Sequence, residues 1–339
     1  MIKTESQLES YLSEPTTEVI SAITSLEGDI LILGVGGKMG PSLAKLAKRA
    51  IDCAGVAKKV IGISRFSNPG IQESLHEVGI ETIIADLLSE NSLQNLPNIQ
   101  NVIFMAGRKF GSTENENLTW ALNTYMPGRV AEKFRDSRLV VFSTGNVYPL
   151  TPISQGGATE SSVVAPIGEY AQSCLGRERI CCYFSEQFGT PMAILRLNYA
   201  IELRYGILLD IAQKVYTGEP ISLEMGNVNV IWQRDANAIA LRSFTHCQSP
   251  PLTLNVTGPE TVSIRYTAIR FGEILNKPVR FEGEEAETAL LSNASLCNQL
   301  FGYPCVSLGQ MIEWVAEWVQ IGGTTLQKPT HFEVRDGKF

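Results

Sequence analysis

Histidine is scarce: His76, His246 and His331 are the only three in 339 residues, and they lie far apart in the chain. A zinc site built from them is not expected. None of the seven cysteines falls in a CxxC pair, and an odd, scattered set suits reduced thiols in a cytosolic protein. No apolar run approaches the roughly 20 residues of a membrane span. Positive charge is also short, with 28 Lys and Arg against 35 Asp and Glu and a net charge of −7, which argues against a nucleic-acid-binding face. The start, "MIKTESQLESYLSEPTTEV", lacks the basic and apolar regions of a signal peptide and the basic character of a transit peptide, so the cytoplasm is expected.

What is present is apolar and regularly spaced. Residues 5–26 place Leu8, Leu12, Val19, Ile20 and Ile23 at helical intervals broken by Pro15, and predict a short helical extension packed on the body. Strand and helix patterns then alternate. "DILILGV", "KVIGISRF", "IETIIAD", "NVIFMAG" and "RLVVFSTG" read as strands, with helices between them, one of which runs across 115–135. Continuous apolar strands separated by helices predict an α/β fold with a doubly wound parallel sheet covered on both faces. The alternation weakens after residue 195. The expected division is an extension over 1–27, a dinucleotide-binding domain over 28–195 plus 229–257, a smaller C-terminal substrate domain over 196–228 plus 258–325, and a tail over 326–339.

Between the first strand and the first helix of the alternation stands "GVGGKMG", with Gly34, Gly37 and Gly40 around Lys38 and Met39. Glycines there permit a tight turn and let backbone N–H groups reach a pyrophosphate at the positive end of a helix. At the end of the second strand, where a carboxylate would grip the adenosine ribose of NAD, the chain has Ser64 and Arg65. A guanidinium suits a 2′-phosphate, and Lys38 adds charge, so NADP is preferred to NAD. Asp86, ending the third strand, is placed to accept a hydrogen bond from adenine.

These residues resemble the extended short-chain dehydrogenase/reductase family of NAD(P)-dependent epimerases and dehydratases, over about residues 28 to 320. The marks fall in order: the turn at 34–40, Asp86-Leu87, Met105-Ala106-Gly107 closing the fourth strand, Asn123, "FSTGNVY" at 142–148, Tyr170 and Glu178. The resemblance implies that Thr144 hydrogen-bonds the reacting oxygen, that Tyr170 moves its proton and that Asn123 belongs with them to the catalytic set. It also implies a homodimer formed through the helices that carry Asn123 and Tyr170. A departure stands beside the match. The family's lysine, four residues past the tyrosine, is Cys174 here. Ionising a free tyrosine at pH 7 costs about 4 kcal/mol, and a protonated thiol offers no opposing charge. Arg177, one residue short of a further turn, and the loop residues Arg108 and Lys109 are candidate replacements.

Three functions remain open. The leading one is an NAD(P)-dependent oxidoreductase or epimerase acting on a small, sugar-like or sugar-acid alcohol or ketone. The others are a nucleotide-sugar epimerase or dehydratase, and a non-catalytic NADP-binding sensor that kept the turn and lost the lysine. Val228 near the position of the family's diphosphate-clamping arginine, and Tyr199 in the place of its "RxxN" asparagine, favour the smaller substrate; Arg234 stands beside Asp235, which reads as a helix cap, and so has a structural place.

Overall fold

The structure, a computed structural model, describes residues 2–112 and 114–338. Two short helices come first, α1 (Glu5–Leu12) and α2 (Thr17–Ser25), with Thr4 and Thr16 accepting the amides of Gln7 and Val19 as N-caps. Pro15 lies in the gap between them, since neither helix can run through it. The two helices serve different cores. Leu8 and Leu12 join the apolar cluster of the C-terminal part, while Val19 and Ile23 pack beneath the sheet.

The sheet contains β1 (Ile30–Leu33), β2 (Val60–Ser64), β3 (Glu81–Ile84), β4 (Asn101–Phe104), β5 (Arg138–Thr144) and two later strands, Met192–Leu197 and Leu252–Val256. All seven are parallel, in the order Leu252–Val256, Met192–Leu197, β5, β4, β1, β2, β3. β1 and β4 are buried along their whole length, as strands with helices on both faces must be. From β1 the chain turns toward β2 and β3 on one side, then crosses to β4 and β5 on the other. Leu33 and Phe104 are register partners at that switch, where sheets of this kind open a ligand crevice.

The covering helices are α3 (Gly40–Ala54), α4 (Pro69–His76), α5 (Glu90–Gln94), α6 (Glu116–Trp120), α7 (Met126–Lys133) and α8 (Gly168–Phe188). The single helix predicted over 115–135 is interrupted by a π-helical turn, Ala121–Tyr125, in which the amide of Met126 reaches back five residues to the carbonyl of Ala121. Pro127 supplies the reason. It has no N–H to give the carbonyl four residues back, and its ring crowds that carbonyl, which belongs to Asn123.

In the C-terminal third, α9 (Ile207–Thr217), α10 (Gln233–Arg242), α11 (Ile264–Leu275), α12 (Ser295–Phe301) and α13 (Leu308–Gln320) follow. α9, α11 and α13 close a second core around Trp232 and Trp318. Trp314 meets Tyr11 and Trp232 edge to face, and Tyr11 lies tilted against Trp232. Asp235, which reads as a helix cap in the sequence, instead accepts the amide of Val306 at 3.0 Å. The tail is a docked arm. Thr330 donates its amide and its hydroxyl to Asp210 (2.9 and 2.6 Å), Phe332 is buried, and Arg335 binds the carbonyls of Glu224 and Thr288.

One buried network ties α8 to the sheet. Arg196, on the strand Met192–Leu197, makes a two-pronged bond to Glu178 of α8, with Nη2 donating to Oε2 at 2.7 Å and Nε to Oε1 at 3.0 Å. Ser143 of β5 donates to the same carboxylate at 2.5 Å, and Arg196 also donates to the Tyr148 hydroxyl, which donates to Asn255. Removing one partner of such a pair strands a buried charge, at about 3–5 kcal/mol. Arg196→Met is therefore expected to lower urea-unfolding stability by that amount. Glu178→Gln combined with Arg196→Met is expected to lose clearly less than the sum of the two single changes.

Candidate active site

The glycine turn packs too tightly for side chains. Gly34 has φ +97°, and a Cβ on it would come within 2.7 Å of the Ala106 amide nitrogen. A Cβ on Gly40 would lie 2.1 Å from the Val35 carbonyl oxygen, and one on Gly36 would lie 2.5 Å from Ser64 Oγ. Gly36 was not singled out from the sequence, although the doubled glycine in "GVGGKMG" is its signal. The amides of Gly36, Lys38 and Met39 make no backbone hydrogen bond among the described residues, so they remain available at the start of α3. A bare loop at a helix N-terminus fits a pyrophosphate.

Around the turn the other cofactor candidates divide. Ser64 Oγ lies under Gly36 and accepts the Phe66 amide at 3.3 Å, while Arg65 is exposed at the edge. Asp86 is exposed, with Oδ1 accepting the Leu88 amide, and Leu87 is buried beside it. Lys38 does not join Arg65. Its ammonium stands over the Tyr205 ring, 3.2 Å from the centroid, and 4.9 Å from that of Phe110, on the cleft side. Met105 and Gly107 line the cleft, and Ala106 backs the glycine turn.

The cleft, about 340 Å³, opens between the carboxyl ends of β1, β4 and β5 and the C-terminal third. Thr144 and Tyr170 meet in it, with their hydroxyl groups hydrogen-bonded. Thr144 is anchored by Asn146, donating to its Oδ1 at 2.9 Å. Burial, then the neighbouring Cys174 sulfur, push the Tyr170 phenol well above its ordinary range, while the Thr144 bond and the Arg177 guanidinium draw it down. Cys174 is itself buried, against Val147, Tyr148 and Ala158, and burial raises its pKa, so it stands beside the phenol as a neutral thiol.

Arg177 is buried rather than solvated. Nη1 donates to the Phe142 carbonyl (2.6 Å), Nε to the Asn123 carbonyl (3.2 Å) and Nη2 to Asn123 Oδ1 (3.0 Å). The Asn123 carbonyl is the one that Pro127 leaves without a helical donor. Gly107 makes room for the guanidinium, since a Cβ there would sit 2.6 Å from Nη2. Asn123, proposed from the resemblance as catalytic, is fully buried outside the cleft lining. Its Oδ1 accepts from Arg108 and Arg177, and its Nδ2 donates to the Arg108 carbonyl and Ser173 Oγ. That capacity is spent on holding the loop after β4.

Tyr199 was singled out from the sequence, whereas Tyr205 and Thr330 had no local signal. Tyr199 takes φ +47°, a left-handed conformation that asparagine tolerates better than a bulky side chain, and it lines the cleft with Tyr205. Thr330 reaches the cleft from the docked arm, and His331 next to it packs against Phe110. Arg234 is turned away, over the Tyr11 ring and beside Glu14 and Asp235, and Val228 is buried in the C-terminal core.

Sheet order, glycine turn and the Thr144–Tyr170 pair together define an extended short-chain dehydrogenase/reductase type of protein. More narrowly, the chain belongs to the NAD dependent epimerase/dehydratase family, whose pattern matches residues 30–202. Its members are enzymes. No curated protein sequence matches the chain. Among solved structures it is similar to a UDP-glucuronic acid 4-epimerase variant from Bacillus cereus in complex with a fluorinated UDP-glucuronic acid and NAD, at 19% identity and TM-score 0.72, covering 86% of this chain and 99% of that one. It is also similar to a dTDP-glucose 4,6-dehydratase from Bacillus anthracis in complex with NAD (14%, 0.71, 87% and 97%). A third is a short-chain dehydrogenase/reductase superfamily protein from Agrobacterium tumefaciens with bound NAD (16%, 0.69, 86% and 97%). At these identities the likeness is one of fold.

Two amines in the cleft are short of water. Desolvation, with Lys109 nearby, lowers Lys38 to about 7, and desolvation lowers Lys109 to about 8. Both bind protons less well folded than unfolded, where lysine titrates near 10.4. Their charged forms therefore oppose folding below these values, and the opposition is relieved as pH rises from about 7 toward 10. Lys38→Met is expected to stabilise the cofactor-free protein at pH 6.5 and to lose most of that advantage by about pH 9.5, in urea unfolding read as the difference from wild type.

Proposed function

We propose that this chain is an NADP-dependent oxidoreductase or epimerase acting on a small sugar-like or sugar-acid alcohol or ketone. The observation that carries the reading is the hydrogen-bonded Thr144–Tyr170 pair, set in the same cleft that the glycine turn borders. The amides of Gly36, Lys38 and Met39 would hold the pyrophosphate, Asp86 the adenine, and Arg65 a 2′-phosphate. The dinucleotide supplies hydride chemistry when bound. Thr144 orients the substrate oxygen, and Tyr170 holds or takes its proton.

A small substrate is favoured by what surrounds the cleft. Arg234 is engaged with Glu14 and Tyr11, Val228 offers no charge, and the arm brings Thr330 to the lining. The second reading, a nucleotide-sugar substrate, draws on the similar structures that hold UDP-glucuronic acid or are named for dTDP-glucose.

Pairing of two chains through α7 and α8 is part of the same proposal. Trp120, Tyr125, Gly128, Ile180 and Phe184 line an open apolar groove there, and Tyr183 and Phe188 are exposed nearby. Sedimentation at micromolar concentration is expected to give a two-chain species, and a monomer would refute this part. The cytoplasm is the compartment proposed, on the odd, scattered set of cysteines in the sequence.

Calorimetry with NADPH and NADH is expected to favour NADPH. Arg65→Ala should reduce that preference by about 10- to 100-fold, the worth of charge-assisted hydrogen bonds to phosphate. Tyr170→Phe should leave binding in place and remove hydride transfer in a screen over sugars, sugar acids and UDP-sugars. Equal binding of both cofactors would sink the NADP assignment, and turnover confined to UDP-sugars would favour the second reading.

A further inference from the structure

In this cleft a phenol sheds its proton to a substrate only if a cation stabilises the developing anion, because burial resists it and the neutral Cys174 thiol offers no charge in support. Arg177 is one source. Its guanidinium is fixed by three hydrogen bonds to Phe142 and Asn123, and with that help included the phenol still lies above its ordinary range. One turn beyond Tyr170 on α8, where a second cation would fit, stands the buried thiol of Cys174.

Lys109 reaches the same space from the opposite wall. Its Nζ lies 5.9 Å from the Tyr170 ring centroid, 5.8 Å from that of Tyr199 and 5.5 Å from that of Phe110, and its charge acts on the Cys174 sulfur. Its backbone is held in place by its neighbour, since both the amide and the carbonyl of Arg108 bind the Asn123 side chain. We propose that Lys109, on the loop after β4, supplies the positive charge that supports loss of the Tyr170 proton, in place of a cation on α8. This rests on the reading of Tyr170 as the proton-moving group. Rather than extending into water, as lysine ammonium groups commonly do, this one stays among three aromatic rings.

The groups facing Tyr170 are Thr144 on β5, Cys174 and Arg177 on α8, and Lys109, whose charge also bears on Lys38 in the glycine turn. Lys109 loses its proton at about 8, before the phenol titrates, so an equilibrium titration of Tyr170 is blind to it. Reactivity near neutral pH is not. The test is the rate at which N-acetylimidazole acetylates Tyr170 in cofactor-free protein at pH 7, located by mass spectrometry.

Lys109→Met is expected to slow that rate about tenfold or more, matching at least one pKa unit of lost stabilisation. Lys109→Arg, and Lys109→Met combined with Cys174→Lys, are expected to restore it. The gap between wild type and Lys109→Met should close as pH rises through about 8, as Lys109 loses its charge. Wild-type labelling in Lys109→Met overturns the proposal. So does slow labelling that neither Lys109→Arg nor the lysine at position 174 restores, since the loop would then be holding the phenol in place rather than supplying charge. Labelling needs neither cofactor nor substrate, so failure of the proposed function would appear separately, as absent cofactor binding with the labelling pattern intact.

Discussion

The Glu178–Arg196 ion pair is the constraint on which the cleft depends. Glu178 lies four residues after Cys174 and eight after Tyr170, on one face of α8. Bonded to Arg196 and to Ser143, it fixes how α8 is rotated over the ends of β5 and the neighbouring strand. That rotation turns Tyr170 toward Thr144 and buries Cys174 and Arg177. An apolar contact in the same place would also bury surface, yet it would not set the direction as two-pronged hydrogen bonds do.

A second constraint begins with one proline. Pro127 denies the Asn123 carbonyl its helical partner, the helix takes an extra residue into its turn, and Arg177 fills the vacancy. The Asn123 side chain binds Arg177 on one side and the Arg108 backbone on the other. A backbone irregularity in one helix thereby positions a cation on another and the loop that carries Lys109. Gly107 completes the arrangement by leaving space for the guanidinium.

What could be read from sequence was local. The order of strands and helices and the glycine turn follow from residues close together in the chain, where periodicity and turn chemistry act, whereas the Thr144–Tyr170 pair was legible only through the family resemblance. What escaped was set by tertiary partners. Nothing within a few residues of Arg177 distinguishes a buried guanidinium from a solvated one. Its burial depends on carbonyls at Asn123 and Phe142. Asp235 reads as a cap because it precedes an apolar helix, but the amide it binds comes from Val306, 71 residues later. The arm has no periodic pattern, and its docking rests on Asp210 and Thr288. Lys38 reads as a charge near Arg65, whereas the Tyr205 and Phe110 rings draw it to the cleft.

Family membership and fold leave the substrate to be fixed by the aromatic and cationic lining of this particular cleft. The whole account rests on a dinucleotide lying along the glycine turn with its nicotinamide toward Tyr170. A crystal structure of the chain grown with NADP tests this most directly. The account predicts the pyrophosphate against the amides of Gly36, Lys38 and Met39 and the nicotinamide ring facing the Tyr170 hydroxyl. A dinucleotide bound elsewhere, or one whose nicotinamide points away from Tyr170, would contradict it.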